Sequence, residues 1–108
     1  MNKKELKDFI LKCLEEKNAT DVNCMEIQGE VPLADYMIFA SGRSVNNIRA
    51  IGEFIALELK HNLKWNAFVE GLQGSDWILI DAGIVIVHLF HPEAREQMKL
   101  EELWKERA

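Results

Sequence analysis

The stretch WILIDAGIVIVHLF, Trp77 to Phe90, packs eleven apolar residues, two ionisable ones and one glycine into a chain of 108 residues. Asp81, Ala82 and Gly83 interrupt it with turn chemistry, since aspartate favours the start of a tight turn and glycine tolerates positive φ. The stretch therefore reads as a long apolar hairpin, and the rest of the chain must cover it. With Ala82 and Gly83 as a two-residue loop, Asp81 faces Ile84, Leu79 faces Ile86 and Trp77 faces His88. Alternation then gives one aliphatic face of Ile78, Ile80, Val85, Val87 and Leu89. The other face mixes Trp77, Leu79, Asp81, Ile84, Ile86, His88 and Phe90.

Two helices are legible as partners for the aliphatic face. Leu6, Phe9, Ile10, Cys13 and Leu14 recur at helical spacing, and Asn18 to Asp21 end that run. Ser44 caps a second helix in which Val45, Ile48, Ile51, Ile55 and Leu59 hold the period as far as Leu63. Strands are expected at Val22–Ile27, bounded by Asp21 and by Gly29 and Pro32, and at Asp35–Ala40, which stops at the SGRS of Ser41 to Ser44. Asn66–Gly71 follows the second helix, so strand, helix and strand read as a βαβ unit with a right-handed crossover. Pro92 suits the first turn of a short C-terminal helix, and Leu100, Leu103 and Trp104 at i, i+3 and i+4 should dock the tail on the domain. The expected architecture is α/β: a single domain with a five-stranded sheet, two long helices on one face and a short third helix. The mixed face is then a candidate partner surface, unless the C-terminal segment covers it with Trp104 as its lid.

Charge narrows the partners. The net charge is −5 and the pI about 5.2, with no block of like charges, so a basic nucleic-acid footprint is absent and a basic protein partner fits better. The N-terminus has neither a signal-peptide core nor a membrane span. Cys13 and Cys24 form no CxxC pair, and their apolar neighbours favour buried, reduced thiols in a cytoplasmic protein.

Catalytic chemistry finds little support. Ser41 and Gly42 before a helix could cradle a phosphate, but no GxxxxGK[ST] or GxGxxG pattern is present and SGRS serves equally as strand terminator and cap. Metal-dependent nucleotidyl transfer needs paired carboxylates on one strand face; Asp76 and Asp81 tend to opposite faces and Asp35 stands alone. His88 with Asp81 as orienter lacks a Ser or Cys nucleophile within the hairpin, and reads better as a packed or interface histidine. His61 suits a helix C-terminus and His91 precedes Pro92 in a turn. The histidines and cysteines show no ligand spacing, so no metal and no cofactor are expected.

The segments ADYMIFASGRS, VNNIRAIGEFIALEL and VEGLQGSDWILIDAGIVIVHLFHPEAREQMKLEELW together resemble the ribosomal silencing factor family, also called Iojap-like proteins, from about Leu6 to Trp104. The resemblance implies a nucleotidyltransferase-like fold without the catalytic carboxylates, in a homodimer. It also implies binding to the large ribosomal subunit through ribosomal protein number fourteen, which blocks joining of the small subunit and represses translation. Glu70, Trp77, Asp81, Gly83 and His88 match the family pattern and are expected in or beside the partner-binding surface, with Leu79 on the same face. Ala82 and Ile84 complete that set as departures: the family usually carries an aromatic or larger apolar residue at the first and an acidic residue at the second. The alternatives are a nucleotide-binding or nucleotidyltransferase-type enzyme using the Ser41–Gly42 turn, and a structural homodimer whose mixed face is its self-interface.

Overall fold

The computed structural model describes residues 2–27, 34–71, 76–99 and 101–102. Gly29, Pro32, Leu100, Leu103 and Trp104, for which turn or docking roles were expected, lie outside them. The elements are α1 (Lys3–Glu16), β1 (Thr20–Glu26), β2 (Tyr36–Ser41), α2 (Val45–Leu63), β3 (Phe68–Glu70), β4 (Trp77–Asp81), β5 (Val85–Phe90) and α3 (Pro92–Met98). The strands form one mixed sheet in the order β1-β2-β5-β4-β3, in which only β2 and β5 pair in parallel.

Both long helices begin where side chains satisfy their first amides. Asn2 Oδ1 accepts from Glu5 N–H at 2.8 Å, and Asn2 Nδ2 donates to the Glu5 carboxylate at 2.8 Å. Ser44 Oγ accepts from Asn47 N–H at 3.0 Å, while Asn47 Oδ1 accepts from Arg43 N–H at 3.1 Å. The apolar stripes then pack as their period requires. Leu6, Ile10, Cys13 and Leu14 of α1 join Ile48, Ile51, Ile55 and Leu59 of α2 over Ile38, Ala40, Ile78, Ile80, Val85, Val87 and Leu89. Each fully buried aliphatic side chain in this layer contributes about 1.5–3 kcal/mol.

β2 and β3 run parallel in one sheet, as the strand–helix–strand reading requires, with the C-terminal hairpin inserted between them. The structure corrects three expectations. That hairpin has Asp81 opposite Ile86, Leu79 opposite His88 and Trp77 opposite Phe90, two residues away from the register of the expected Ala82–Gly83 loop. The cause is long-range: the Ile84 carbonyl accepts from Asp35 N–H at 2.8 Å and from Tyr36 N–H at 3.1 Å, so Ile84 is drawn out of the hairpin to the start of β2. The loop becomes Ala82–Ile84, closed by Ala82 N–H donating to the Val85 carbonyl at 2.9 Å. An offset of two leaves every strand residue on its expected face. Ile84 itself leaves the mixed face and packs against the helix-side core. Thirdly, Cys24 is exposed rather than buried, since β1 is an edge strand of which only Met25 is buried; Cys13 is buried, and both are free thiols.

Candidate partner-binding face

Strand register assembles the face opposite the helices. Met37 and Phe39 come from β2, Ile86, His88 and Phe90 from β5, Trp77, Leu79 and Asp81 from β4, and Phe68 and Glu70 from β3. Its middle is a row of flat rings. Phe39 stacks on His88 at 4.9 Å between centroids and Trp77 at 5.8 Å on the other side, with Phe90 stacked against all three. α3 covers the Phe90 end, where Ala94 is buried in the same cluster. Its start is shaped by His91 as N-cap and Pro92 in the first turn.

Towards β3 the face opens. Trp77 and Leu79 are half-buried, Glu70 is exposed, and Phe68 is 69% exposed although it is one of the largest apolar side chains here. Glu70, Gly71, Trp77 and Leu79 line a shallow cavity of about 240 Å³. Gly71 is required at its rim: φ is +139°, and a Cβ would sit 3.0 Å from the Trp77 carbonyl oxygen and from Ile78 Cγ1. Glu70 and Asp81 are the only charged residues these strands place on this face, and both are acidic. The result is an apolar strip with an acidic margin.

The expected binding residues divide by burial. Glu70, Trp77, Leu79, Asp81 and Gly83 keep accessible surface. Asp81 Oδ1 accepts from Gly83 N–H at 2.8 Å, which fixes the hairpin tip with Gly83 at φ +85°. Ala82 is buried in the helix-side core, and its carbonyl accepts from the Trp65 indole at 2.9 Å, so its side chain offers nothing to a partner. His88 is only 5% exposed, so it supports the face from within rather than forming its surface. Its Nδ1 accepts from Trp77 Nε1 at 3.2 Å, and its Nε2 lies 3.1 Å from Met37 Sδ. Burial pushes its pKa down to about 4, so the ring is neutral at pH 7. Asp81 is not its orienter. Phe68 went unremarked in the sequence, although its alternation with Glu70 in a short run after a helix was the available signal.

The Ser41–Gly42 turn is committed to the fold. A Cβ on Gly42 would lie 2.5 Å from Ile48 Cγ2 and 2.7 Å from Asn47 Oδ1, so glycine allows β2 to meet the cap of α2. Gly42 N–H donates to the Phe90 carbonyl at 3.0 Å, which removes it as a phosphate donor. Ser41 Oγ is buried and accepts from Arg95 at 2.9 Å; the same guanidinium binds the Asp21 carbonyl at 2.7 Å and the Glu101 carboxylate. Among the described residues the adjoining cavity of about 590 Å³ is lined by Asp21, Glu96, Glu101 and Glu102 against Arg95 and Lys99, and those carboxylates are unfavourable neighbours for a polyphosphate. Among the described residues no three His, Cys, Asp or Glu side chains converge as metal ligands, and no helix is long and apolar enough to cross a membrane.

Comparison with known proteins agrees with this architecture. A family model described as "Ribosomal silencing factor during starvation" matches residues 1–108. The chain is 37% identical over 91 residues to a ribosomal silencing factor of Zymomonas mobilis, covering 84% of this chain and 68% of that protein. It is 31% identical to the one from Bacillus subtilis, covering 96% and 88%. It is also 32% identical to mouse mitochondrial assembly of ribosomal large subunit protein 1, covering 90% of this chain but only 44% of that longer protein. A crystal structure of a Chromobacterium violaceum protein superposes with a TM-score of 0.91 at 27% identity, over 97% of this chain and 88% of that one. With a sheet, helix layer and sequence all in common, the chain belongs to the ribosomal silencing factor family.

Proposed function

We propose that this protein represses translation by occupying the large ribosomal subunit, without catalysis. It docks through ribosomal protein number fourteen and sterically blocks joining of the small subunit. The observation that carries this reading is the strip of Phe68, Leu79 and Trp77 beside Glu70 and Asp81. Aromatic anchors with an acidic margin suit a basic protein surface that is apolar at its centre. A net charge of −5 would speed the encounter with such a partner more than it tightens the complex. The names of the bacterial relatives and of the mouse relative support a ribosomal, large-subunit setting. In this reading residues 1–108 act as one unit in the cytoplasm, as a homodimer.

Co-sedimentation with separated large and small subunits, followed by light scattering as the subunits are mixed, tests the proposal. Binding to the large subunit alone with suppressed joining is expected, and Trp77→Ala should cost about 2 kcal/mol or more of affinity. Binding to neither subunit, or joining unaffected at saturation, would overturn it.

A further inference from the structure

We infer that His88 is a positioning residue that holds the Trp77 indole in its partner-binding orientation, an assignment that rests on the proposed docking face. The row Phe39, His88, Trp77 poses a chemical question: why a histidine stands between two aromatic hydrophobes where a third would pack without loss of hydration. The hydrogen bonds answer it. An indole N–H can only donate, so the 3.2 Å contact from Trp77 Nε1 requires an unprotonated Nδ1 on His88. In the neutral ring the proton then sits on Nε2, aimed at Met37 Sδ 3.1 Å away. His88 is thus fixed by Phe39 and Met37 of β2 and presents one acceptor to β4. Trp77 lies half-buried at the margin of the open strip, stacked on His88 and Phe90. The acceptor supplies direction that stacking alone lacks.

An anchor already oriented in the free protein loses less freedom on docking. Stability and positioning therefore rank substitutions at this site in opposite order. His88→Phe keeps ring, volume and stacking but has no acceptor. His88→Asn loses the stacking but places its Oδ1 near the position of Nδ1. A residue that merely fills the core would leave phenylalanine better than asparagine by every measure.

The test uses the full chain, with the Trp77 indole N–H resonance assigned by its loss in Trp77→Phe. In His88→Phe that resonance should move upfield and exchange faster with solvent, and affinity for the large subunit should fall roughly tenfold while the melting temperature holds or rises. His88→Asn should melt lower yet bind better than His88→Phe. Wild-type affinity with an unmoved resonance in His88→Phe, or weaker binding by His88→Asn than by His88→Phe, would overturn the assignment. Should His88→Phe not fold, His88→Leu replaces it in the same comparison. If the wild-type protein does not bind the large subunit at all, the docking proposal falls by itself. The resonance then decides whether His88 orients Trp77: a shift upholds the geometry and no shift removes it.

Discussion

Phe68, 69% exposed, lies directly opposite the half-buried Asp81 in the β3–β4 register. β3 is a three-residue edge strand, so this ring packs against little of its own domain. Phe68→Ala should therefore leave the melting temperature nearly unchanged, within the range of ordinary surface substitutions. If the strip meets the ribosome, the same change should cost about 1–3 kcal/mol of large-subunit affinity. Equilibrium binding with calorimetry separates the two effects. A variant that binds as tightly as wild type would remove β3 from the interface.

Glu70 stands opposite Leu79 and faces the same cavity as Trp77. An exposed carboxylate at the margin steers the encounter and contributes little once the complex is formed. Glu70→Lys should lower the association rate by several-fold at low ionic strength, with the difference shrinking towards 0.15 M salt as screening sets in, and a small change in dissociation rate. Stopped-flow association at several salt concentrations reads this directly. An unchanged rate across the salt series would argue that the partner surface opposite Glu70 is not basic.

Much of this face was legible because alternation survives an even slip of register. Trp77, Leu79, Asp81, Ile86 and His88 kept their side of the sheet although the hairpin pairing moved by two residues. The pairing itself was not legible, because it depends on Asp35 and Tyr36 donating to the Ile84 carbonyl across some fifty residues of chain. Strand order was hidden for the same reason: nothing local to β4 and β5 says that they insert between β2 and β3. Ala82 looked like a loop-tip contact, yet its side chain is buried and the indole of Trp65, in the α2–β3 connection, donates to its carbonyl. Cys24 looked buried from its neighbours, but an edge strand leaves such a residue without cover. The helices were the easiest part, since a stripe at period 3.6 and a Ser or Asn cap need no information from elsewhere.

The Ser-Gly turn gives a prediction that separates capping from phosphate binding. A methyl group at Gly42 cannot be placed without moving Ile48, which is fully buried, or the Asn47 amide that caps α2. Gly42→Ala should cost about 1–3 kcal/mol, the usual range for overpacking. Urea unfolding measures it. Because Gly42 N–H and Ser41 Oγ already have protein partners, titration of the wild-type protein with labelled nucleotide and magnesium should show no saturable binding. Saturable nanomolar to micromolar affinity would instead restore the enzymatic alternative at this turn.

His88 sets an acid limit on stability whose sign follows from linkage. Its pKa is lowered from 6.5 to about 4 by burial, and its ring neighbours Phe39, Trp77, Phe90 and Met37 carry no charge. Between these two pH values the unfolded chain binds a proton that the native state refuses, so stability falls as pH drops from about 6.5 towards 4. Above pH 6.5 the group is neutral in both states and contributes no slope. At about 1.36 kcal/mol per unit, the loss attributable to this one side chain approaches 3 kcal/mol at pH 4. His88→Phe should remove that portion of the acid sensitivity, so that the difference in unfolding free energy between wild type and variant is flat above about pH 6.5 and grows from there to pH 4. Protonation also turns Nδ1 into a donor facing the indole N–H, so loss of the Trp77 hydrogen bond should accompany the same transition. Parallel pH profiles for the two proteins would mean that His88 is protonated in the native state without cost, and that its ring is less enclosed in solution than its stacking between Phe39 and Trp77 requires.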